Sequence, residues 1–214
     1  MEIERVIGIL KRSARRHREP VITGVARRED PFQVLVSCLI SLRTKDSVTE
    51  VASKRLFKLA DTPKKMAKLP EKAIQKAIYP AGFYRNKSRV IRDISRDLVE
   101  NYGSRVPDSI EKLLKFKGVG RKTANIVVTQ AFGKPGIAVD IHVHVVANRL
   151  GWVKTKTPDQ TELALMKVLP KKYWRDVNEL LIVHGQNVCV TVSPWCSKCP
   201  IEGYCPKVGV TKRR

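Results

Sequence analysis

The sequence predicts an all-α protein, and three observations carry that expectation. Apolar residues recur at steps of three and four through most of the 214 residues. Almost nothing alternates with period two over a useful length, and the breaks between apolar stretches hold the residue types that start and stop helices. No long repeat or low-complexity linker interrupts this pattern.

Residues 2–17 carry Ile3, Val6, Ile7 and Leu10 on one helical stripe, followed by the basic tail Lys11–Arg12 and Arg15–Arg16–His17–Arg18. Asp30–Pro31 places a cap before a proline, the order that opens a helix, and Phe32–Leu42 is apolar enough for a core helix, with Cys38 a small core residue. A second helix is expected from about Ser47 to Ala60, its stripe formed by Val48, Val51, Ala52, Leu56 and Leu59. Short helices follow Thr62–Pro63 and Leu69–Pro70. Val90, Ile91, Ile94, Leu98 and Val99 then mark a helix from Arg85 to Tyr102, stopped by Gly103. Val106–Pro107–Asp108–Ser109 starts a short helix. Further helices fit Arg121–Phe132, Ile141–Leu150, Pro158–Leu169 and Lys172–Val188, and Gly133–Lys134–Pro135–Gly136 is the best-marked domain boundary, with the N-terminal helix rejoining the C-terminal part.

The stretch Lys112–Asn125 holds two short helices pinched together by Gly118–Val119–Gly120. Glycine at both ends of the pinch is expected to take backbone angles that side chains forbid and to leave amides open at the start of the second helix. Such a helix start attracts phosphate, and Lys122 falls in its first turn. Alone, this warrants only sequence-independent nucleic-acid binding, with Lys122 a phosphate contact. Asp140, just before the helix Ile141–Leu150, reads on its own as a helix cap.

Charge points the same way. The chain has 42 Lys+Arg against 20 Asp+Glu, a formal +22, and a surface that basic implies a polyanionic partner, nucleic acid first. No run approaches the ~20 apolar residues of a membrane span, and Met1–Glu2–Ile3–Glu4–Arg5 lacks a signal-peptide pattern, so the expected location is the cytoplasm, with the nucleoid.

Four of the five cysteines crowd into Cys189, Cys196, Cys199 and Cys205, a C-x6-C-x2-C-x5-C spacing that lets four thiolates converge on one centre. Zinc and an iron–sulfur cluster both accept four cysteines. A zinc site is usually built from two CxxC pairs, and only Cys196–Cys199 forms one here, so the spacing favours a cubane-type cluster.

With Phe116–Lys117–Gly118–Val119–Gly120–Arg121–Lys122–Thr123–Ala124–Asn125, Val139–Asp140–Ile141–His142–Val143 and this cysteine spacing, the sequence resembles the endonuclease III family of DNA glycosylase/AP lyases along nearly its whole length. Ala81–Gly82–Phe83–Tyr84–Arg85–Asn86–Lys87 and Leu181–Ile182–Val183–His184–Gly185 look like family segments too. The resemblance implies a helix-hairpin-helix at about residues 110–130 inside a six-helix barrel domain over 22–132. It implies a second domain made from 1–21 and 133–214 that holds a [4Fe–4S] cluster on Cys189, Cys196, Cys199 and Cys205, with the DNA cleft between the two. It further implies a monomer acting on double-stranded DNA that carries damaged bases or abasic sites.

By the same resemblance Lys122 is the nucleophile, Asp140 its carboxylate partner, and Lys117, Gly118, Val119, Gly120, Arg121 and His142 face DNA or the pocket. Arg43, in Ser41–Leu42–Arg43–Thr44, stands where the family usually has a glutamine that fills the gap left by a flipped nucleotide. An arginine's planar fork can wedge into the stack and hydrogen-bond the orphaned base, or simply clamp a phosphate. Lys117 replaces the usual proline of the hairpin, Leu114 stands where some members have an acidic residue, and the loop Val190–Trp195 lacks their basic residues, with Lys198 and Lys207 as substitutes. His142 and His144, two apart on a helix, fall on different faces and are not expected to share a metal. The expected activity is removal of oxidised pyrimidines followed by strand nicking through β-elimination. One alternative is the mismatch branch that removes thymine or uracil opposite guanine, whose members generally lack lysine at the position of Lys122. The other is a non-catalytic hairpin protein with a four-cysteine zinc site.

Overall fold

The computed structural model describes residues 2–17 and 30–214. Arg18 and the expected boundary at residues 21 and 22 lie outside them. The described residues form α-helices joined by short turns, with no strand among them.

By its internal packing the chain divides into two units, Val21–Lys134 and Met1–Pro20 with Pro135–Arg214. The first contains α2 (Pro31–Ser41), α3 (Asp46–Leu59), α4 (Pro63–Lys68), α5 (Glu71–Ile78), α6 (Tyr84–Asn101), α7 (Ile110–Leu113) and α8 (Arg121–Ile126). The Asp30 carboxylate accepts from the Phe32 amide at 2.8 Å with Pro31 at the first helical position, so α2 starts as its sequence predicts. Phe32, Val34, Leu35, Val36, Cys38, Leu39 and Ile40 are all buried, which makes α2 the central helix of this unit. Burial pushes the Cys38 thiol up to about 12, so it is an inert packing residue.

Two expectations need correcting here. The buried face of α3 is Thr49, Ala52, Ser53 and Leu56, while Val51 and Leu59 are each 54% exposed. Small residues let α3 lie close to its neighbours α2 and α5, and the Thr49 hydroxyl is satisfied by the Lys45 carbonyl at 3.2 Å. The helix expected over Arg121–Phe132 is α-helical only to Ile126 and continues as a π-helical turn, Val127–Ala131. The run Ile126–Val127–Val128–Thr129 is β-branched, and the Thr129 hydroxyl donates to the Asn125 carbonyl at 2.7 Å.

The second unit contains α1 (Ile3–Ala14), α9 (Ile141–Arg149), α10 (Pro158–Val168) and α11 (Trp174–Asn187), the last preceded by a 3-10 turn at Lys171–Tyr173. Val6, Ile7 and Leu10 of α1 join Val143, Val146, Ala147, Leu165, Val177, Leu181 and Ile201 in one core. Two further 3-10 turns, Cys196–Lys198 and Glu202–Tyr204, shape the cysteine-bearing segment.

Leu56→Ala should cost about 2–5 kcal/mol and Val51→Ala less than about 0.5 kcal/mol in urea denaturation. Comparable losses at both positions would restore the stripe read from sequence.

Candidate functional site

The hairpin is built from α7, the turn 114–120 and α8. Ser109 caps α7 by accepting from the Lys112 amide at 3.3 Å. Leu113, Phe116 and Val119 are buried, Phe116 lying 5.3 Å from the Tyr102 ring, so the turn is anchored from beneath. Val119 can therefore offer a ligand only its main chain. Gly118 has φ +87°, an angle that favours glycine, and a Cβ there would press on the Val90 side chain at 3.1 Å. Gly120 differs from expectation. Its φ of −96° and ψ of 175° are open to any residue, and nothing lies within 4 Å of an added Cβ. Its absent side chain leaves open surface at the start of α8. Lys117 and Lys122 are exposed and Arg121 half-buried, whereas Thr123 to Thr129 are buried.

Asp140 caps α9, its carboxylate accepting from the Val143 amide at 3.0 Å. His142 and His144 do point to different faces. His142 packs against Gly185 of α11, where an added Cβ would sit 2.9 Å from the His142 Cβ. His144 is hydrogen-bonded at Nδ1 to the Thr161 hydroxyl at 2.7 Å, within a group that includes Asn148 and Thr155.

Arg43 is exposed, has φ +52°, and holds its guanidinium 5.6 Å from the centre of the Phe83 ring. Phe83 is itself left-handed at φ +57° and 63% exposed. Beneath them Lys87 Nζ donates to the carbonyls of Ile40 at 2.6 Å and Leu42 at 2.5 Å and to the Thr44 hydroxyl at 2.8 Å. Burial pulls this amine down to about 8.

The four clustered cysteines line one pocket together with Val146, Leu150, Ile201 and Trp195. Among the described residues no group of three or more His, Cys, Asp or Glu side chains is packed as the ligand set of a metal ion; the thiols instead surround a shared space. Arg149 Nη1 donates to Cys189 Sγ at 3.4 Å and the Lys207 amide to Cys205 Sγ at 3.4 Å. His184 Nε2 lies 3.6 Å from Cys199 Sγ, while its Nδ1 is buried without a partner. Burial, ahead of the neighbouring cysteines, pushes the Cys199 thiol up to about 11, and Cys205 is raised for the same reason. Thiolates at Cys199 and Cys205 are thus unfavourable here without a cationic centre, and N–H donors already aim at two of the sulfurs, those of Cys189 and Cys205. The donor set fits an iron–sulfur cluster. Of the two basic substitutes expected nearby, Lys198 lies over the Trp195 ring and Lys207 pairs with Glu202 at 3.1 Å; the Arg214 guanidinium sits 3.7 Å from the Trp195 ring centre and donates to the Ser193 carbonyl.

The family described as HhH-GPD superfamily base excision DNA repair protein matches residues 36–171. An endonuclease III of Thermotoga maritima is 48% identical over 197 residues, covering 92% of this chain and 88% of the relative. The chain belongs to the endonuclease III family. The endonuclease III-like protein 1 of Gallus gallus is 38% identical, covering 91% of this chain and 74% of that protein. A solved structure of a trapped endonuclease III–DNA covalent intermediate matches with a TM-score of 0.83 at 33% identity, covering 97% of both chains. A thermostable thymine-DNA glycosylase matches at 0.80 and 25% identity over 93% and 92% of the two chains.

As individual residues Lys87, Gly185, Arg149 and His184 do not stand out in the sequence. The signal for Gly185 was present, a glycine inside an otherwise regular helical run. None existed for Lys87 or Arg149, because a lysine or arginine on a basic helix reads as a solvated charge until its neighbours are known.

Two outcomes are expected. Gly185→Ala should cost about 1–3 kcal/mol, since the new methyl must displace His142; an unchanged thermal midpoint would show that the imidazole moves freely. Lys87 binds its proton more weakly folded than unfolded, so its buried charge costs most below pH about 8 and stability rises between about 8 and 10.5. Unfolding free energy should therefore shift in favour of the native chain over Lys87→Met by up to about 1 kcal/mol per pH unit in that window. A pH-independent difference would contradict the buried charge.

Proposed function

We propose that this chain removes oxidised pyrimidines from duplex DNA and nicks the strand through a covalent intermediate on Lys122. Family membership makes it a base excision repair glycosylase with AP lyase activity on DNA; the residue roles and the lesion class are the proposal. The observation that carries it is Lys122 standing exposed in the first turn of α8, beside the open surface left by Gly120.

A damaged base inside the duplex is out of reach, so the nucleotide is flipped out and Arg43 enters the gap. Lys117, Gly118, Gly120 and Arg121 hold the phosphates and the Val119 main chain completes the turn, while His142 lines the pocket. As the base departs, positive charge develops on the deoxyribose, and the Asp140 carboxylate stabilises it. Its oxygen is oriented by the Val143 amide. The Lys122 amine attacks C1′ as the C1′–N bond to the base breaks with its electrons on the base; the nitrogen then gives up a proton, the C1′–O4′ bond opens with the ring oxygen taking a proton, and a Schiff base is left. The imine acidifies the C2′ proton; its removal drives β-elimination, and the 3′ phosphate leaves with the C–O bond electrons.

Cys189, Cys196, Cys199 and Cys205 would hold a [4Fe–4S] cluster. When bound, that group supplies structural cross-linking of the segment after α11 and an electron-transfer-capable centre, with no part in base removal. The protein would act where DNA is, in the cytoplasm with the nucleoid.

Borohydride should trap the chain covalently on duplexes carrying an oxidised pyrimidine or an abasic site, and Lys122→Ala should reduce trapping by at least about 10³-fold while duplex binding persists. Full trapping by Lys122→Ala would reject the nucleophile; no trapping by the native chain on either substrate would favour a binding protein, and preference for a thymine–guanine mismatch would favour the mismatch branch. Purified protein should be brown, with about four iron atoms per chain; a colourless zinc protein would reject the cluster.

A further inference from the structure

We propose that Lys87 is a positioning residue for base flipping, whose buried ammonium locks the segment carrying Arg43 to the segment carrying Phe83 so that both side chains stand as one preformed tip. This rests on the reading that the tip fills the gap left by a flipped nucleotide.

Lys87 lies in the first turn of α6, only 6% exposed. Its three protons match three acceptors, the Ile40 and Leu42 carbonyls and the Thr44 hydroxyl, within 2.8 Å. All three are neutral. A cation buried without an anion is an expensive way to satisfy carbonyls, so the arrangement is better explained by the geometry it holds than by stability. The two carbonyls belong to the end of α2 and the residue after it, where a helix leaves its acceptors without internal partners.

The second segment is joined to the first at the same point. The Thr44 hydroxyl that accepts from Lys87 also accepts from the Gly82 amide at 3.1 Å. A Cβ at Gly82 would lie 2.4 Å from the Arg43 carbonyl oxygen, so the two main chains touch with no room between them. Immediately outside this contact Arg43 and Phe83 both take the left-handed conformation that non-glycine residues avoid, and both point to solvent, the guanidinium over the ring. Two strained residues side by side need surroundings that over-determine them, and Lys87 with Thr44 and Gly82 provides those surroundings.

A preformed tip matters only where a base stack must be opened. Lys87→Met keeps the aliphatic stem and removes the donors. Its single-turnover rate on a lesion duplex should fall by about tenfold or more, while elimination at an abasic site in single-stranded DNA, which needs no gap filled, should stay within about twofold. Amide exchange at Gly82 should speed up while the interior of α6 stays protected. In an Arg43→Ala/Phe83→Ala background, adding Lys87→Met should cause no further duplex-specific loss.

Equal loss on both substrates, no loss on duplex, or a fully additive loss in the tip-deleted background would overturn the proposal. If the tip-deleted chain itself processes duplex at the native rate, the gap-filling reading fails, and a duplex-specific loss from Lys87→Met alone would still support positioning of the segment. Should Lys87→Met fail to fold, Thr44→Val removes the acceptor shared by Lys87 and Gly82, and the same duplex-only loss is expected at about threefold to tenfold.

Discussion

The hairpin depends on one close approach, the Gly118 main chain against the Val90 side chain of α6. Only a residue without a Cβ both turns left-handed there and leaves Val90 in place. With the turn seated, Leu113, Phe116 and Val119 go inward, and Lys117, Gly120 and Lys122 are left outward. A face of exposed lysines and an open glycine carries no apolar contacts of its own. It has to be held from behind, and three apolar side chains with an aromatic neighbour do that.

Both units use the same device to hold irregular segments. A loop's carbonyls need donors when no helix or sheet supplies them, and in each unit a long cation on an adjacent helix provides several. Lys87 bonds the carbonyls of Ile40 and Leu42 ahead of the tip. Arg149 bonds those of Cys189, Val190 and Thr191 as well as a cysteine sulfur. In a chain of formal charge +22, most lysines and arginines repel one another at the surface. Lys87 is withdrawn from that surface and Arg149 is half-buried, and both spend their donors on fixing backbone.

Substitution at such positions separates roles that composition merges. Glycines illustrate this: Gly82, Gly118 and Gly185 are each pressed against a neighbour, whereas Gly120 meets nothing. The first three are packing requirements of particular helices and turns. The last is an opening, and its use depends on what approaches from outside.

The all-helical class, the caps at Asp30, Ser109 and Asp140, the hairpin and the cysteine spacing were legible in the sequence because each is a local pattern, set by residues within a few positions of one another. The buried face of α3 was not, since Thr49 and Ser53 face inward through their neighbours' closeness rather than their own hydrophobicity. The π-helical turn Val127–Ala131 was hidden as well, since no pattern of residue types in that stretch separates it from a regular helix. Sequence by itself determined the hairpin pattern and the cysteine spacing, and its family resemblance is the source of the proposal that Lys122, Asp140 and the four cysteines carry chemistry. Only the tertiary structure decided which charges are buried, that Lys87 rather than any surface lysine ties the Arg43 tip, and that Gly118 but not Gly120 favours glycine, because these depend on atoms brought together from distant parts of the chain.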